Sequence, residues 1–488
     1  MAQTRARAKQ VTFKSDATGG VVRYLHDKLS ETVSVKDFGA VGDGVTDDTV
    51  AIQAAIDSVY ATGTYGTVVV PSGTYIFTGI TVKSKVTLKG TGGILKLKDN
   101  VCVNTGVSYY LVHNLNHNDV TYDGLIIDGN KDNNTSFLVA DNITAVGENT
   151  VVRDCKIINP PDSGIMFSAA TNGSCINNQI KGARDLGIYV NAPETTPLLG
   201  DMVISGNVIT ECVYGGIGVK RSVENCLVSG NLITSCGNGI TVEDFGVGNG
   251  GHPTHILIEG NLLQDIGYVY NTLPNVAETG ITLNATQNAV VSDNKIQNCS
   301  GTGINLSGAS ECVIKGNHLT GYPTDPASSG TYGVGGIMIV TRVSAGETFY
   351  ANNNIISGNY TKDFQDYGIR VNAGAYNNIT NNTFNSVEWG VRLDANADSN
   401  IFSYNYIEGV SGAIQYYTGA DSNIYKHNYL ANAGTEWERT GNVRTTSVST
   451  PVGAITPKFA GQLCWVTSGN KFFMAYGVSN TEWVQISA

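Results

Sequence analysis

An internal repeat of about 23 residues runs from about residue 150 to about residue 430. Each unit holds a short apolar stretch that ends in an Asn, then an apolar pair, and then a Gly-Ile-x-apolar step. Such a unit is too short for two helices, and its apolar residues alternate with period two, so each unit is predicted to be one coil of short strands. The sequence therefore predicts a solenoid whose strands stack in parallel, about 4.8 Å apart. The repeated Asn residues are Asn178, Asn207, Asn231, Asn261, Asn294, Asn317, Asn359, Asn382, Asn405 and Asn428.

Stacking gives each repeated position its own column along the solenoid. The Ile of the Gly-Ile step is predicted to point into the core, from Ile165 in the first of these coils to Ile414 in the last. The repeated Asn residues are predicted to form a ladder of side-chain amides at a tight turn, where Asn tolerates the left-handed conformation. Cys212, Cys236 and Cys299 each follow a ladder Asn by five residues and are predicted to be buried, reduced core residues.

Composition excludes several classes of protein. Gly accounts for 58 of 488 residues and charged residues for only 15%, which is typical of a chain with many tight turns. The net charge of −11 argues against a nucleic-acid partner, and the absence of any stretch of about 18 apolar residues argues against membrane insertion. The nine cysteines show no CxxC spacing, so the sequence predicts no disulfide framework, no metal site and no cofactor.

The strongest local signature is VKDFGAVGDGVTDDTVAIQAAID, at residues 35–57. Thr46 is predicted to cap a helix with Asp47 and Asp48 in its first turn, and these aspartates are interpreted as structural. The helix is predicted to cover the open end of the coil stack. GTVVVPSGTYIF, at residues 66–77, then predicts a strand, a turn and a second strand.

The block DFGAVGDGVTDDTVAIQAAID followed by VVVPSGTY resembles the opening of the pectate-lyase-like right-handed β-helix proteins. With VVRYLHDKLSETVSVKDFGA before it, the chain resembles bacteriophage tailspikes that depolymerise bacterial surface polysaccharide. The resemblance implies a homotrimer, a place in the virion tail, and binding to capsule or O-antigen. The segment before the helix is short, which implies docking through other phage tail proteins. The motifs of the polygalacturonases and of the alginate epimerases are missing, so substrate and mechanism do not follow from the resemblance.

The predicted fold is all-β. It is a single-stranded right-handed parallel β-helix with a short N-terminal helical segment and a small C-terminal antiparallel β domain. Residues 1–33 are expected to attach to the virion, residues 34–440 to form the β-helix that binds and cleaves polysaccharide, and residues 441–488 to trimerise. Within the last segment, RTTSVSTPVGAITP reads as a linker, and three alternating runs follow with turns at Gly469-Asn470 and Ser479-Asn480.

Departures from the 23-residue spacing place long loops on both sides of the Gly-Ile strands, so these strands are predicted to floor a groove. Hydrolysis of a glycosidic bond needs two carboxyl groups, and their separations match one or two coil spacings. The acids two residues before the Gly of a Gly-Ile step are Asp162, Asp185, Glu278, Asp366 and Glu388. The predicted catalytic acids are Glu243, Asp244, Glu278, Asp366 and Glu388, and the predicted substrate-binding residues are Tyr189, Tyr214, Lys220, Asn305, Arg370, Arg392 and Asp394.

Several interpretations stay open for these residues. Asp366 and Glu388 are equally explained as an exterior charge ladder paired with Arg370 and Arg392. Glu243 lies at the end of one Gly-Ile strand and Glu278 at the start of the strand one coil later, so they are roughly 20 Å apart if the strands stay extended. His252 and His255, in the loop after Glu243, would suit a lyase that acts on a uronic acid, with Lys220 or Arg221 neutralising the carboxylate. A non-catalytic adhesin is the third alternative, and the acids could also face a neighbouring subunit.

Overall fold

Strands dominate the computed structural model of the chain. Its described residues fall into two compact units, one formed by Met1–Gly218 with Val223–Asn231 and the other by Val219–Ser222 with Leu232–Ala488. The structure describes residues 11–29, 31–103, 108–135, 140–192, 199–244, 252–267, 278–322, 334–344, 346–409, 412–416, 422–431, 443–446, 463–466, 471–475 and 483–485.

The first unit opens with a small hairpin and a short helix. Strands Thr12–Lys14 and Val22–Tyr24 pair antiparallel, and α1 spans Leu25–Leu29. Strand Thr32–Ser34 leads into a 3₁₀ turn at Val35–Phe38. Ser34 and Asp37 close that turn as a reciprocal capping box, in which each side chain accepts a bond from the other end of the turn.

The predicted helix is present as α2, Thr49–Tyr60, and begins later than expected. Its N-cap is Asp48 and not Thr46, because the Asp48 carboxylate folds back to accept hydrogen bonds from the backbone N of Val41 (2.6 Å) and Gly42 (3.1 Å). Asp48 is buried and holds the preceding loop against the helix start, in keeping with its interpretation as a structural residue.

Each coil of the first unit has two short strands with a turn between them and a third strand after them, and a ladder Asn lies between the first two strands from Asn178 onward. Cys155 holds the aligned position in the coil before Asn178. The third strands form what we call the Gly-Ile sheet, and all pairs in these stacks are parallel. Strands Asp43–Asp47, Gly66–Phe77 and Val86–Leu97 start the stack. The strands before the ladder are Thr121–Asp123, Val151–Arg153, Ser174–Ile176, Leu199–Ser205 and Val223–Ser229, and those after it are Ile126–Asp128, Lys156–Ile158, Gln179–Lys181 and Val208–Thr210. The Gly-Ile sheet contains Ile80–Thr81, Val112–His113, Ile143–Ala145, Ile165–Ser168, Leu186–Asn191 and Gly215–Lys220, the last two residues of which are counted with the second unit.

The second unit repeats the same coil, again with parallel pairing. An antiparallel hairpin, Arg342–Ser344 with Glu347–Phe349, follows one of its Gly-Ile strands. The strands before the ladder are Thr254–Glu259, Val290–Ser292, Val313–Lys315, Ile355–Ser357, Asn378–Thr380, Ile401–Ser403 and Ile424–Lys426. Those after it are Leu232–Thr234, Leu262–Ile266, Lys295–Cys299, His318–Gly321, Tyr360–Lys362, Thr383–Asn385, Tyr406–Glu408 and Tyr429–Ala431. The Gly-Ile strands are Asn238–Glu243, Thr279–Asn284, Thr302–Ser307, Gly335–Val340, Tyr367–Ala375, Trp389–Asp398 and Gly412–Tyr416. The predicted fold class, a right-handed parallel β-helix, is confirmed.

The asparagine ladder is present, and its amides bond along the stacking direction. The Oδ1 of Asn382 accepts from both the backbone N (3.0 Å) and the Nδ2 (2.9 Å) of Asn359, and Asn382 makes the same pair of bonds to Asn405. The conformational reason given from the sequence was wrong, because the left-handed residue is the one before each ladder Asn. These left-handed residues are Asn177, Gly206, Gly230, Gly260, Asp293, Gly316, Gly358, Asn381, Tyr404 and His427.

The predicted inward column of the Gly-Ile steps is buried from Ile165 to Val391, and the side chain of Ile414 lies outside the described residues. Cys212, Cys236 and Cys299 are buried and form no disulfide, as predicted. Burial raises the pKa of Cys299 to about 12, so its thiol stays protonated and inert.

The C-terminal residues form a four-stranded sheet. Its strands Leu463–Val466, Lys471–Ala475 and Trp483–Gln485 are antiparallel, as predicted. Val443–Thr446, from the segment that reads as a linker, adds a fourth strand parallel to Leu463–Val466.

Candidate active site

Glu243 ends a Gly-Ile strand of the second unit, and its carboxylate lies 3.7 Å from the Nζ of Lys220. The backbone N of Arg221 also donates to the carbonyl of Glu243 (2.7 Å). Both side chains of the ion pair are mostly buried, at 8% exposure for Lys220 and 15% for Glu243. The structure therefore places the predicted catalytic acid Glu243 beside Lys220, which was predicted to bind substrate.

Asp244 follows directly and is held by the loop that returns to the ladder. Its carboxylate lies 2.9 Å from Nδ1 of His252, and the ring of His252 packs edge-on against Phe349 at 4.8 Å between centroids. Phe349 belongs to the antiparallel hairpin, whose Arg342 donates from Nη2 to the carbonyl of Asp244 (3.5 Å). His252 and Arg342 therefore contact Asp244, and Phe349 packs on the ring of His252.

Glu278 does not join this group. Ser300 Oγ donates a hydrogen bond to its carboxylate. Pairing of Val242 with Leu283 puts Glu243 opposite Asn284, whereas Glu278 precedes the first residue of that strand. The structure keeps the two predicted acids at opposite ends of the strand, as an extended backbone requires.

The acids of the later coils are engaged by arginines. Asp366 accepts two bonds from Nη1 of Arg392 (3.0 Å each), and Asp394 lies 2.6 Å from Nη2 of Arg370 and also accepts from Asn372. Glu388, aligned with Asp366 in the next coil, is exposed. Asp366 therefore forms an ion pair between adjacent coils with Arg392, one of the two arginines named in the charge-ladder interpretation.

The remaining predicted binding residues are divided between the two units. Tyr189 and Tyr214 belong to the first unit, and Asn305 to the Gly-Ile sheet of the second. Asn305 aligns through Thr282 with Thr241. Oδ1 of Asn305 and Oγ1 of Thr241 are buried and have no hydrogen-bond partner among the described residues.

A different cluster of acids occupies the Gly-Ile sheet of the first unit. Asp162 and Asp185 hold the same position in adjacent coils, because Ile165 pairs with Ile188 three residues further on. The backbone N of Asp185 donates to the carbonyl of Asp162 (3.2 Å). Neighbouring parallel strands are about 4.8 Å apart, so the two carboxyl groups start from backbones at that separation.

Asp141 completes this cluster, which we call the aspartate trio. Ser163 lies between its members, because its backbone N donates to Asp141 Oδ1 (3.2 Å) and its Oγ donates to Asp185 Oδ2 (3.4 Å). Asp141 is 1% exposed, and its Oδ2 has no partner among the described residues. Asp162 and Asp185 are half-buried and can face a ligand.

Burial raises the pKa of Asp141 well above its usual range, and the negative charges of Asp162 and Asp185 raise that pKa further. The bond from Ser163 opposes this shift only in part. Asp141 therefore keeps its proton at pH values where an exposed aspartic acid has lost it. A carboxylic acid beside two other carboxyl groups is the arrangement that acid–base catalysis uses.

The side chains next to the trio fit a sugar ligand. Tyr189 points outward four residues after Asp185, between the buried Ile188 and Val190, and aligns with Met166 in the preceding coil. A tyrosine ring offers an apolar face and a hydroxyl, which suits a pyranose ring.

Asp141 was missed in the sequence, whereas Asp162 and Asp185 were recognised as members of a column and then left out of the predicted catalytic set. The coil of Asp141 carries Asn142 where later coils have Gly, and Asp141 aligns with Ser163 and not with Asp162. The signal that could have found it is the 22-residue offset between Ile143 and Ile165, one residue shorter than the common repeat.

No group of three or more His, Cys, Asp or Glu side chains in the described part of the chain is arranged to hold a metal ion.

Known proteins resemble the chain over most of this fold. Residues 32–250 match the family described as rhamnogalacturonase A/epimerase, pectate lyase-like, and residues 268–435 match the right-handed β-helix region. The chain resembles the pectate-lyase-like right-handed β-helix proteins, tailspikes among them. The mannuronan C5-epimerase AlgE2 of Azotobacter vinelandii is 30% identical over 254 residues, 48% of this chain and 25% of that protein. The tail spike protein of an Escherichia phage is 52% identical over 54 residues, 11% of this chain and 7% of that protein.

A solved tailspike shows the same fold. The tailspike of the Escherichia coli bacteriophage HK620, in complex with a hexasaccharide, superimposes with a TM-score of 0.60 at 14% identity, covering 88% of this chain and 82% of that one. The chain spans a quarter or less of the length of the two curated relatives. Within the described residues, no helix is both long and apolar enough to span a membrane.

Proposed function

We propose that this protein is a bacteriophage tailspike that binds a bacterial surface polysaccharide and hydrolyses its glycosidic bonds with Asp162 and Asp185. The proposal includes its place in the virion tail, a homotrimeric assembly, docking on other tail proteins, and the assignment of residues 1–33, 34–440 and 441–488 to attachment, catalysis and trimerisation. Similarity to a mannuronan epimerase and to tailspikes supports action on polysaccharide.

The observation that carries the proposal is the aspartate trio. Two half-buried carboxyl groups at one position in adjacent coils start about 4.8 Å apart, close to the 5 to 5.5 Å between the carboxyl groups of a retaining glycosidase. Asp366, Asp394 and Glu243, predicted as site residues in the second unit, each form an ion pair with a cation within 4 Å.

We assign the two catalytic aspartates different roles. Ser163 Oγ donates to Asp185 and orients its carboxylate, and Asp185 is the nucleophile at the anomeric carbon. Asp162 protonates the departing glycosidic oxygen as the bond from the anomeric carbon breaks. It then takes a proton from the water that displaces Asp185 and regenerates both groups.

Asp141 is a positioning residue in this scheme. It is too deeply buried to touch a sugar, and it anchors Ser163 through the backbone N of that residue. Because Asp141 stays neutral, the cluster avoids a third negative charge beside the catalytic pair.

Single Asp162→Asn and Asp185→Asn variants test the proposal against a panel of capsular and O-antigen polysaccharides. Each variant is expected to lower the release of reducing ends by about 10²–10⁴-fold. Asp154→Asn is the matched control, because Asp154 is exposed in the same unit. Full activity in both variants would contradict the assignment.

The same experiment separates the alternatives. Products that absorb ultraviolet light through a new double bond would show elimination from a uronic acid. Binding without release of oligosaccharide on any strain would show an adhesin. Loss of activity in Glu243→Gln, Glu278→Gln, Asp366→Asn or Glu388→Gln, with Asp162→Asn and Asp185→Asn active, would move the catalytic site to the second unit.

A further inference from the structure

The outer surface of the second unit carries an apolar column on the strands before the ladder. In these strands Ile356 and Phe402 point into the core, so the residue before each of them points outward. Ile355, Ile401 and Ile424 are 44, 38 and 43% exposed. The residues that share this outward position and pair from strand to strand, which we call the aliphatic column, are Leu257, Val290, Val313, Ile355, Asn378, Ile401 and Ile424. Exposed isoleucines gathered in one column, about 29 Å long at 4.8 Å per strand, indicate a contact surface more than isolated apolar side chains do.

A second column follows the strands after the ladder. Tyr360, Thr383, Tyr406 and Tyr429 hold one outward position in consecutive coils, and we call them the aromatic column. The rings of Tyr406 and Tyr429 stack with 5.1 Å between centroids and 13° between planes, and Tyr429 is 61% exposed. Because each ring covers a face of the next, the stack presents ring edges to the outside. A pyranose ring packs on an aromatic face, so these edges suit the aliphatic side chains of a protein better than a polysaccharide.

The two columns correspond coil by coil around the ladder turn. In three coils an isoleucine precedes a tyrosine by five residues, and in the coil between them both columns carry a polar residue. These pairs are Ile355 with Tyr360, Asn378 with Thr383, Ile401 with Tyr406, and Ile424 with Tyr429. If one column packs on the other at equal height, apolar side chains meet apolar ones and the polar pair meets itself.

Copies of this chain are the partner that fits such a surface. A closed ring of three needs two different surfaces on each chain, and the two columns lie on opposite sides of one turn. When parallel solenoids surround a common axis, each coil of one chain meets the same coil of the next. The net charge of −11 makes copies repel, but the strands that carry the columns from Ile355 to Ala431 hold only Lys362, Glu408 and Lys426 as charged residues, a sum of 2 − 1 = +1.

We propose that the ladder turn of the second unit faces the threefold axis of a homotrimer, where the aliphatic column of one chain packs on the aromatic column of the next. Ile401 then meets Tyr406 of another copy, and Ile424 meets Tyr429. This inference rests on the homotrimer of the proposed function and names the face through which it forms.

Photo-cross-linking on the full chain tests the face. Tyr429→p-benzoylphenylalanine places a photoreactive ring in the aromatic column, and Tyr350→p-benzoylphenylalanine is the matched control, because Tyr350 is 60% exposed and lies outside both columns. Light scattering first measures the mass of the assembly. The Tyr429 variant is expected to give at least about tenfold more linked chains on a denaturing gel than the Tyr350 variant, since only an interface holds the ring against a partner. Peptide mass mapping should place the link in strand Ile401–Ser403 or Ile424–Lys426 of the other chain.

A charge placed in the interface gives an independent measurement. Ile401→Glu is expected to lower the urea concentration at which the assembly separates into single chains, because it buries unpaired carboxylates between the copies. Val343→Glu, at a position on the hairpin that is 72% exposed, is expected to leave that concentration unchanged. Equal shifts in the two variants would overturn the inference.

The cross-linking result separates the other possible occupants. Links within one chain would show that the chain covers this face itself, and links to added polysaccharide would show a carbohydrate surface. A trimer without links between chains at Tyr429 would overturn this face and leave the homotrimer standing. A mass of one chain would overturn both, whereas hydrolysis by the aspartate trio is tested separately by Asp162→Asn and Asp185→Asn.

Discussion

Replacement of Asp141 by Asn removes the one fully buried titratable group of the aspartate trio. Asn keeps the shape of the side chain and an Oδ1 that accepts from the backbone N of Ser163. In the wild-type protein, burial and the charges of Asp162 and Asp185 raise the pKa of Asp141. The folded state therefore holds a proton that the unfolded chain releases above about pH 3.9.

The sign of the effect on stability follows from this difference. Below the unfolded pKa both states are protonated, and Asp141 contributes no pH dependence. Above it the folded state binds more protons, so the free energy of unfolding falls as pH rises, by up to about 1.4 kcal/mol per pH unit until pH passes the folded pKa. Asp141→Asn should lack this pH dependence, so its stability relative to wild type should increase with pH until pH passes the folded pKa of Asp141.

Urea unfolding of both proteins at pH 5, 6 and 7 measures the two slopes. Unfolding of a solenoid need not be two-state, so hydrogen exchange in strands Ile143–Ala145 and Ile165–Ser168 should be followed beside it. Asp154→Asn, at an exposed position, should keep the wild-type slope. If Asp141→Asn and wild type run parallel across this range, Asp141 is not a buried neutral acid and the account of the trio is wrong.

The ladder and the core give two further predictions. Asn382→Ala should lower the free energy of unfolding by roughly 3 kcal/mol, because the backbone N of Asn359 loses its acceptor, the Nδ2 of Asn359 keeps only its bond to the carbonyl of Ile314, and the carbonyl of Ile356 loses a donor. Guanidinium unfolding of Asn382→Ala and of Asn378→Ala measures this, because the Asn378 side chain is exposed and serves as the control. Equal losses of unfolding free energy in the two variants would contradict a stabilising role of the ladder. Cys299, whose pKa burial raises to about 12, should resist alkylation in the native protein and react once it is unfolded, as peptide mass mapping will show.

The sequence was sufficient for the repeat because each coil uses the same contacts. A column such as Asn359, Asn382 and Asn405 recurs at 23 residues, and its side chains make the same bonds to the neighbouring coils each time. Periodicity therefore carries the fold. It does not carry local backbone geometry, and this is why the left-handed turn was assigned to the ladder Asn and not to the residue before it, such as Asn381 or Tyr404.

Side-chain partners across coils were harder to predict, because they depend on register to a single residue. Asp366 pairs with Arg392 between adjacent strands, and Asp394 pairs with Arg370. The repeated sequence positions alone could not distinguish such ion pairs from catalytic acids. Asp141 was not identified in the sequence because its coil is one residue shorter and carries Asn142 in place of Gly. The contacts of Arg342 with Asp244 and of Phe349 with His252 depend on the position of the antiparallel hairpin, which packs closely on Gly308. The repeat spacing does not encode these contacts.

A parallel solenoid brings like charges at equal positions to about 4.8 Å, so a column of acids must be neutralised in some way. The second unit interleaves acids with arginines, as Asp366 with Arg392 and Asp394 with Arg370. The first unit buries Asp141, whose pKa is raised by burial and by the charges of Asp162 and Asp185. A buried acid with a raised pKa beside two half-buried carboxyl groups is typical of acid–base chemistry, and this favours the first unit as its place.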